Sequence, residues 1–184
     1  MSSYCLSAPG HAFHGPYHDR EYGFPTRDET ILFERLAMEI MQAGLSWLLI
    51  LKKRDGLNKA FAGFHVDTVA SFTDDDVARL LGDETIIRNR LKILAIIENA
   101  KRLQAMRETH TGFANWLAAC HPLTKAEWVK LFKKTFKFTG GEITGEFLMS
   151  VGYLPGAHDG ACPVSNTIMD IAPPWMGPGA AFYV

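Results

Sequence analysis

The 184-residue sequence predicts an all-α fold. Apolar residues recur at the three- and four-residue spacing of helices along most of the chain, and the alternating runs typical of strands are missing. Capping boxes, in which a hydroxyl precedes a helix and a carboxylate follows three residues later, mark three helix starts. The three pairs are Thr26 with Glu29, Thr73 with Asp76, and Thr124 with Glu127.

The first capping box predicts a helix that extends to about Ala43, where Gly44 is placed to end it. In a longer helix over 91–107, the spacing predicts that Leu94 faces inward and Lys92 outward. After Ala172, closely spaced prolines and glycines predict an irregular tail over 172–184. The other predicted helices cover 47–53, 56–62, 66–72, 74–81, 113–119, 125–135 and 142–150.

Length and composition predict a single domain over 1–184. The chain is 47% hydrophobic and 21% charged, as in ordinary globular proteins. Its net charge of -1 argues against a broadly basic nucleic-acid-binding surface, so any DNA contact must be local. No apolar run approaches the roughly 20 residues that span a bilayer, and no secretory signal is evident. We therefore expect a cytoplasmic protein without a membrane contact.

Cysteine and histidine form a candidate metal site. Three cysteines are too few for a disulfide scaffold. His158 and Cys162 are separated by three residues, a spacing that lets both reach one ion. Chance pairs among seven histidines and three cysteines are the alternative explanation, and His11 and His14 could compete as ligands. The soft and borderline ligand set is Cys5, His18, His158 and Cys162.

Glu39 is an unusual acid at the border of a predicted apolar helix face. It shares a helical row with Leu32 and Leu36. Buried glutamates are uncommon, so spacing alone favours a surface-edge side chain paired with a lysine or arginine. Glu34, on the same helix, is also expected at the surface.

Several spaced segments, in order, resemble the DNA-3-methyladenine glycosylase I family of the helix-hairpin-helix DNA glycosylase superfamily. The segments are YHDREYG at 17–23, QAGLSW at 42–47, IIRNR at 86–90, KFTG at 137–140, and the ending around His158 and Cys162. The resemblance covers roughly residues 5–165. It implies a helix-hairpin-helix unit over 74–107 whose turn holds a DNA phosphate.

The resemblance also implies one structural zinc per chain. Its ligands would be Cys5, His18, His158 and Cys162, and it would staple the terminal segments 5–25 and 153–165. Four protein ligands leave no open position for water, so no catalytic role is expected of the metal.

By the same resemblance, Glu39 matches a pocket glutamate that contacts the purine edge, and it is the expected catalytic residue. Tyr17 and Trp47 match aromatic residues of that pocket, although core packing would explain either ring alone. An alkylated purine such as 3-methyladenine is cationic, and an aromatic and acidic slot attracts a cation over a neutral base. The implied activity is hydrolysis of the N-glycosidic bond of alkylated purines flipped from damaged double-stranded DNA.

Leu45, Arg88, Arg90 and Lys92 are the candidate DNA contacts. Leu45 could fill the space that an extruded base leaves, and the three basic residues supply local charge near the hairpin. The alternatives are a core contact for Leu45 and a solvated helix start for the basic residues. A monomer is expected, and no protein partner is implied.

Three positions depart from the family pattern. Thr85 replaces a frequent glycine, and a β-branched residue tolerates positive φ poorly, which predicts a changed phosphate grip. Ser7 falls near a family tryptophan, and Glu146 near a small pocket-side serine. Two other hypotheses therefore stay open: a non-catalytic, zinc-stapled module that binds damaged DNA, and a helical protein without a nucleic-acid role.

Overall fold

The computed structural model describes residues 3–183, and within this range the chain is helical without a β-strand. The predicted all-α fold is confirmed. No helix in the described range combines the length and the apolar character that a bilayer crossing requires. The helices are α1 (Ser3–Ser7), α2 (His14–Arg20), α3 (Glu29–Gln42), α4 (Trp47–Ala60), α5 (Val66–Ala70), α6 (Asp74–Gly82), α7 (Arg90–His110), α8 (Phe113–Cys120), α9 (Lys125–Thr135), α10 (Gly141–Ser150) and α11 (Pro163–Ile171), with 3-10 turns at Ala62–Phe64, Pro174–Met176 and Ala180–Tyr183.

Helix α3 lies at the centre of the molecule. It packs against α4, α7, α8 and α10, and every residue from Leu32 to Met41 is buried. A helix that is covered on all sides has no solvent-facing stripe. For this reason the polar residues of α3 are buried together with the apolar ones, which sequence periodicity could not show.

The start of α3 differs from the prediction. Asp28 caps the helix, because its carboxylate accepts from the backbone N–H groups of Thr30 (2.8 Å) and Ile31 (3.1 Å). Glu29 instead accepts from Arg107 at 2.9 Å. The capping box predicted at Thr26 is therefore wrong, whereas the boxes at residues 73 and 124 are confirmed.

Helix α4 is continuous where two short helices were predicted. Gly56 lies inside it, and a Cβ atom there would come within 2.6 Å of the backbone oxygen of Thr85. The glycine is present because the loop between α6 and α7 approaches the α4 backbone closely. Thr85 does not adopt positive φ, so the strain expected at this position is absent. Its N–H and hydroxyl both donate to Asp83, at 2.8 and 2.6 Å.

The first turn of α7 also corrects the prediction. Lys92 was expected to face outward but is 5% exposed, and its Nζ donates to the backbone oxygens of Met41 (2.9 Å) and Ala43 (2.7 Å). Leu94, expected inside, is 38% exposed. The last carbonyl groups of α3 have no intrahelical partners, and the lysine satisfies two of them.

Helices α1, α2 and α11 were not predicted, and α11 is the longest of the three. Helix α11 begins directly after Cys162 with Pro163 in its first turn, a position where proline fits a helix. Beyond it the chain is irregular apart from the two 3-10 turns, and the N–H of Trp175 donates to the backbone oxygen of Gly152 at 3.2 Å.

Candidate active site

A cavity of about 790 Å³ opens between α2, the α3–α4 junction and α10. Its size is in the range of pockets that enclose a small organic ligand. Tyr17, Glu39 and Trp47, the three residues selected from the sequence, all line it. The structure thus brings together side chains from three different helices.

The cavity wall is strongly aromatic. The rings of Tyr17 and Trp47 lie 5.1 Å apart at 59°, and Tyr22 stacks on Tyr17 at 5.7 Å. Tyr4 packs edge-on against Tyr22 at 5.8 Å. Electron-rich faces in this arrangement attract a cation and give a planar group a surface to stack on. Ser7 lies at the exposed end of α1 and does not line the cavity, where Tyr4 of the same helix supplies a ring.

The Tyr17 side chain carries an unsatisfied polar group. Its ring is buried, and no described residue bonds to its hydroxyl. Burial raises the pKa of Tyr17 above its ordinary value, so the phenol is neutral and its hydrogen can be donated to a ligand.

The Glu39 carboxyl group is buried without a partner. It is 4% exposed, and within residues 3–183 no hydrogen bond or ion pair reaches it. Burial raises its pKa well above the ordinary carboxyl value, and repulsion from Glu146 raises it further, while Arg35 opposes these effects. The surface-edge interpretation of Glu39 is therefore wrong. An unpaired buried acid is costly, and such groups concentrate at functional sites.

Glu34 provides the contrast on the same helix. It is also buried, which contradicts the expectation of a surface position, but it is fully partnered. Its carboxylate accepts from Arg54 Nε at 2.8 Å and from Asn58 Nδ2 at 2.6 Å, and these bonds lower its pKa despite burial. Both glutamates are buried, and what distinguishes them is that Glu34 has hydrogen-bond partners whereas Glu39 has none among the described residues.

The charged side chains that line the cavity are all acidic among the described residues. Glu39, Glu142 and Glu146 line it, whereas no lysine, arginine or histidine of the described chain does. Glu146 accepts a hydrogen bond from the Tyr22 hydroxyl at 3.0 Å. With three acids and no base among the described residues of the wall, the cavity favours a positively charged ligand over a neutral or negative one.

A second site lies where the two ends of the described chain meet. The donor atoms of Cys5, His18, His158 and Cys162 all lie within 4.8 Å of one another. Cys162 Sγ is 3.7 Å from His18 Nε2 and 3.6 Å from His158 Nδ1, and Cys5 Sγ is 3.8 Å from His158 Nδ1. Around a tetrahedral zinc, bonded sulfur and nitrogen atoms lie about 3.6 Å apart. The cluster therefore has the dimensions of a metal site.

Outer contacts orient both imidazoles for coordination. His18 Nδ1 lies 2.7 Å from Asp19, and His158 Nε2 lies 2.7 Å from the backbone oxygen of Tyr22. When these nitrogens carry the protons, the lone pairs of His18 Nε2 and His158 Nδ1 face the cluster. His11 lies outside it, because its Nδ1 accepts from two backbone N–H groups at 3.1 Å.

Comparison with known proteins identifies the family of this chain. A family model described as methyladenine glycosylase matches residues 9–129. The chain belongs to the methyladenine glycosylase family. It is 34% identical to DNA-3-methyladenine glycosylase 1 of Escherichia coli K12, over 79% of this chain and 88% of that protein. It is 33% identical to DNA-3-methyladenine glycosylase of Haemophilus influenzae Rd, over 91% and 100%.

Solved structures of the family have the same fold. One 3-methyladenine DNA glycosylase I variant, in complex with 3-methyladenine, superposes with a TM-score of 0.79 at 28% identity, over 89% of this chain and 97% of that one. The Staphylococcus aureus enzyme gives a TM-score of 0.78 at 29% identity, over 88% and 95%.

The candidate DNA contacts of this methyladenine glycosylase family member differ in exposure. Leu45 is 36% exposed next to Gly44, a residue of the cavity wall, and Arg88 and Arg90 are exposed beside the α6–α7 loop. Lys92 is buried against α3 and is not available to a phosphate.

Two cavity tyrosines were missed from the sequence. Tyr22 belongs to the first family segment at 17–23, so its position was a usable signal. Tyr4 lies outside every segment that carries the resemblance, and only the packing of α1 brings it to the cavity.

Proposed function

We propose that this protein is a DNA-repair glycosylase that hydrolyses the N-glycosidic bond of alkylated purines, chiefly 3-methyladenine, in double-stranded DNA. The unpaired Glu39 carboxyl group inside an aromatic cavity is the observation that carries this proposal. Family membership and the names of the relatives support it.

Hydrolysis of this glycosidic bond depends more on selecting the cationic base than on acid catalysis. A purine alkylated on a ring nitrogen is cationic, so the bond to the sugar is already weakened. When the C1′–N bond breaks, its electron pair moves to the base, which leaves as a neutral molecule. Water then adds to C1′ and loses a proton, which leaves an abasic site. The duplex interior is inaccessible, so the nucleotide must first be flipped into the cavity.

Tyr17 and Trp47 would hold the flipped base by stacking and by cation–π attraction. Glu39 would contact its edge and face the positive charge that develops on the sugar. In the empty cavity the raised pKa favours the neutral carboxyl group. A cationic base stabilises the carboxylate and a neutral base does not, so discrimination follows from the charge of the base.

Leu45 and two arginines are the proposed contacts to the duplex. Leu45 lies in the loop between α3 and α4 and would fill the gap left by the flipped nucleotide. Arg88 and Arg90 would pair with phosphates near the α6–α7 loop. Lys92 is not one of these contacts, because its ammonium group already donates to two carbonyl oxygens.

Zinc is the metal that best fits the Cys5, His18, His158 and Cys162 cluster. Two thiolates and two imidazoles at these separations would supply the ligand set that zinc prefers, and four protein ligands would leave no open coordination position. The ion would hold α1 and α2 to the segment before α11 and would take no part in the reaction.

The decisive experiment measures free 3-methyladenine released from duplex DNA treated with a methylating agent. We expect release by the natural protein and a loss of about 100-fold or more in Glu39→Gln, which keeps the shape of the side chain but removes its charge. Glu108→Gln is the control, because Glu108 is exposed on α7, away from the cavity. Binding of methylated DNA without release would favour a non-catalytic damage-binding module instead.

A further inference from the structure

Glu146 is a second acid that the cavity holds in a defined position. It lies on α10, is partly buried, and accepts the Tyr22 hydroxyl through Oε2 at 3.0 Å. Tyr22 is itself fixed by stacking on Tyr17 and by the edge of Tyr4. The other oxygen, Oε1, has no partner in the described part of the chain. One oxygen is thus anchored by the protein, and the other is available.

This arrangement has no evident structural purpose. No basic side chain of the described range lines the cavity, so nothing in the wall balances Glu146. Its charge also acts on Glu39, whose own carboxyl group is unpartnered. Arg35 opposes the rise in the Glu39 pKa but does not line the cavity. The mutual repulsion of the two acids opposes folding, and a residue retained at such a cost points to an interaction with a ligand.

We propose that Glu146 is a base-recognition residue that extends the accepted substrates from alkylated adenines to cationic N-alkylguanines. This inference rests on the proposed glycosylase function. The ligand class follows from hydrogen-bond chemistry, because an ionised carboxylate only accepts. The Watson–Crick edge of guanine presents two adjacent donors, the N1–H and the 2-amino group. The same edge of adenine presents one amino donor beside an acceptor nitrogen, which a carboxylate repels.

The two acids would then have separate tasks. Glu39 faces the cationic ring and the sugar, whichever purine is bound. Glu146 accepts from the guanine edge through its free oxygen while Tyr22 keeps the carboxylate oriented. Unmodified guanine stays excluded, because it brings no positive charge to the two acids and its glycosidic bond is not weakened.

The test compares two products of one reaction. Methylated duplex DNA contains both 3-methyladenine and N-methylguanines, so chromatography of the released bases reports both activities in the same sample. We compare the natural protein with Glu146→Gln, Glu146→Ser and the Glu108→Gln control. Melting temperatures confirm that each variant is folded. Quenching of tryptophan fluorescence by 7-methylguanosine at pH 6, where the base is cationic, gives an independent measure of binding.

We expect the natural protein to release both classes of base. Glu146→Ser should lose about tenfold or more of the N-methylguanine release and should bind 7-methylguanosine more weakly, while release of 3-methyladenine changes by less than about threefold. Release of N-methylguanine by Glu146→Gln should lie between that of the natural protein and that of Glu146→Ser, because an amide retains one acceptor. Release of 3-methyladenine without any N-methylguanine, or equal losses of both in the Glu146 variants, would overturn the inference and leave the proposed function standing. Release of neither base overturns the proposed function, and the inference with it.

Discussion

Replacing Cys162 by serine tests whether a metal holds the two ends of the chain together. The cluster joins Cys5 to His158 across 153 positions and His18 to Cys162 across 144. In the chain-entropy model for cross-links, closing a loop of about 150 residues removes roughly 5 kcal/mol of unfolded-state freedom. For a protein of this size each kcal/mol corresponds to about 2–4 °C in melting temperature. Loss of the ion should therefore lower the melting temperature by about 10–20 °C.

The assay combines metal analysis with calorimetry. The natural protein should contain one zinc per chain and lose stability when treated with a strong chelator. The Cys162→Ser variant should contain little zinc, melt early and respond little to the chelator. Cys120→Ser is the matched control, because Cys120 is a half-buried thiol outside the cluster, and its replacement should cost about 1 kcal/mol or less. Equal metal content and melting temperature in the Cys162 and Cys120 variants would refute the reasoning.

Three further predictions concern the core and the DNA-facing side. Burial raises the Glu39 pKa, so this group destabilises the folded protein increasingly as pH rises above the ordinary carboxyl pKa. Glu39→Gln should therefore gain stability relative to the natural protein as pH rises above about 4.5 in thermal melts. Lys92→Met should cost about 2 kcal/mol in urea unfolding but leave the salt dependence of DNA binding unchanged, whereas Arg88→Ala should reduce that dependence. Gly56→Ala should cost about 2 kcal/mol through its clash with Thr85.

Each of these has a contrary result. A stability difference between Glu39→Gln and the natural protein that does not vary with pH would show that the carboxyl group titrates normally. A reduced salt dependence in Lys92→Met would return that lysine to the DNA contacts. A neutral Gly56→Ala would show that the loop moves away from α4 without cost.

The sequence by itself determined the helical class and most of the helix ends. Residues near one another in the chain specify these features, so Gly44 ends α3 and the pairs at 73 and 124 start α6 and α9 as predicted. The family resemblance selected Tyr17, Glu39 and Trp47, which line one cavity. Members of a family share a pocket, so position in the family pattern identified these residues without any knowledge of their separation.

Only the tertiary structure decided which polar groups have partners. Lys92 was expected outside and Glu34 at the surface, but both are buried. Lys92 on α7 packs against the end of α3, and Glu34 lies on the covered helix α3, so each is satisfied by an element distant in sequence. Glu146 and Tyr22 meet across 124 positions, and no local pattern reports that contact. Whether a buried charge is paired depends on the packing of remote helices, and this packing separates the structural Glu34 from the unpartnered Glu39.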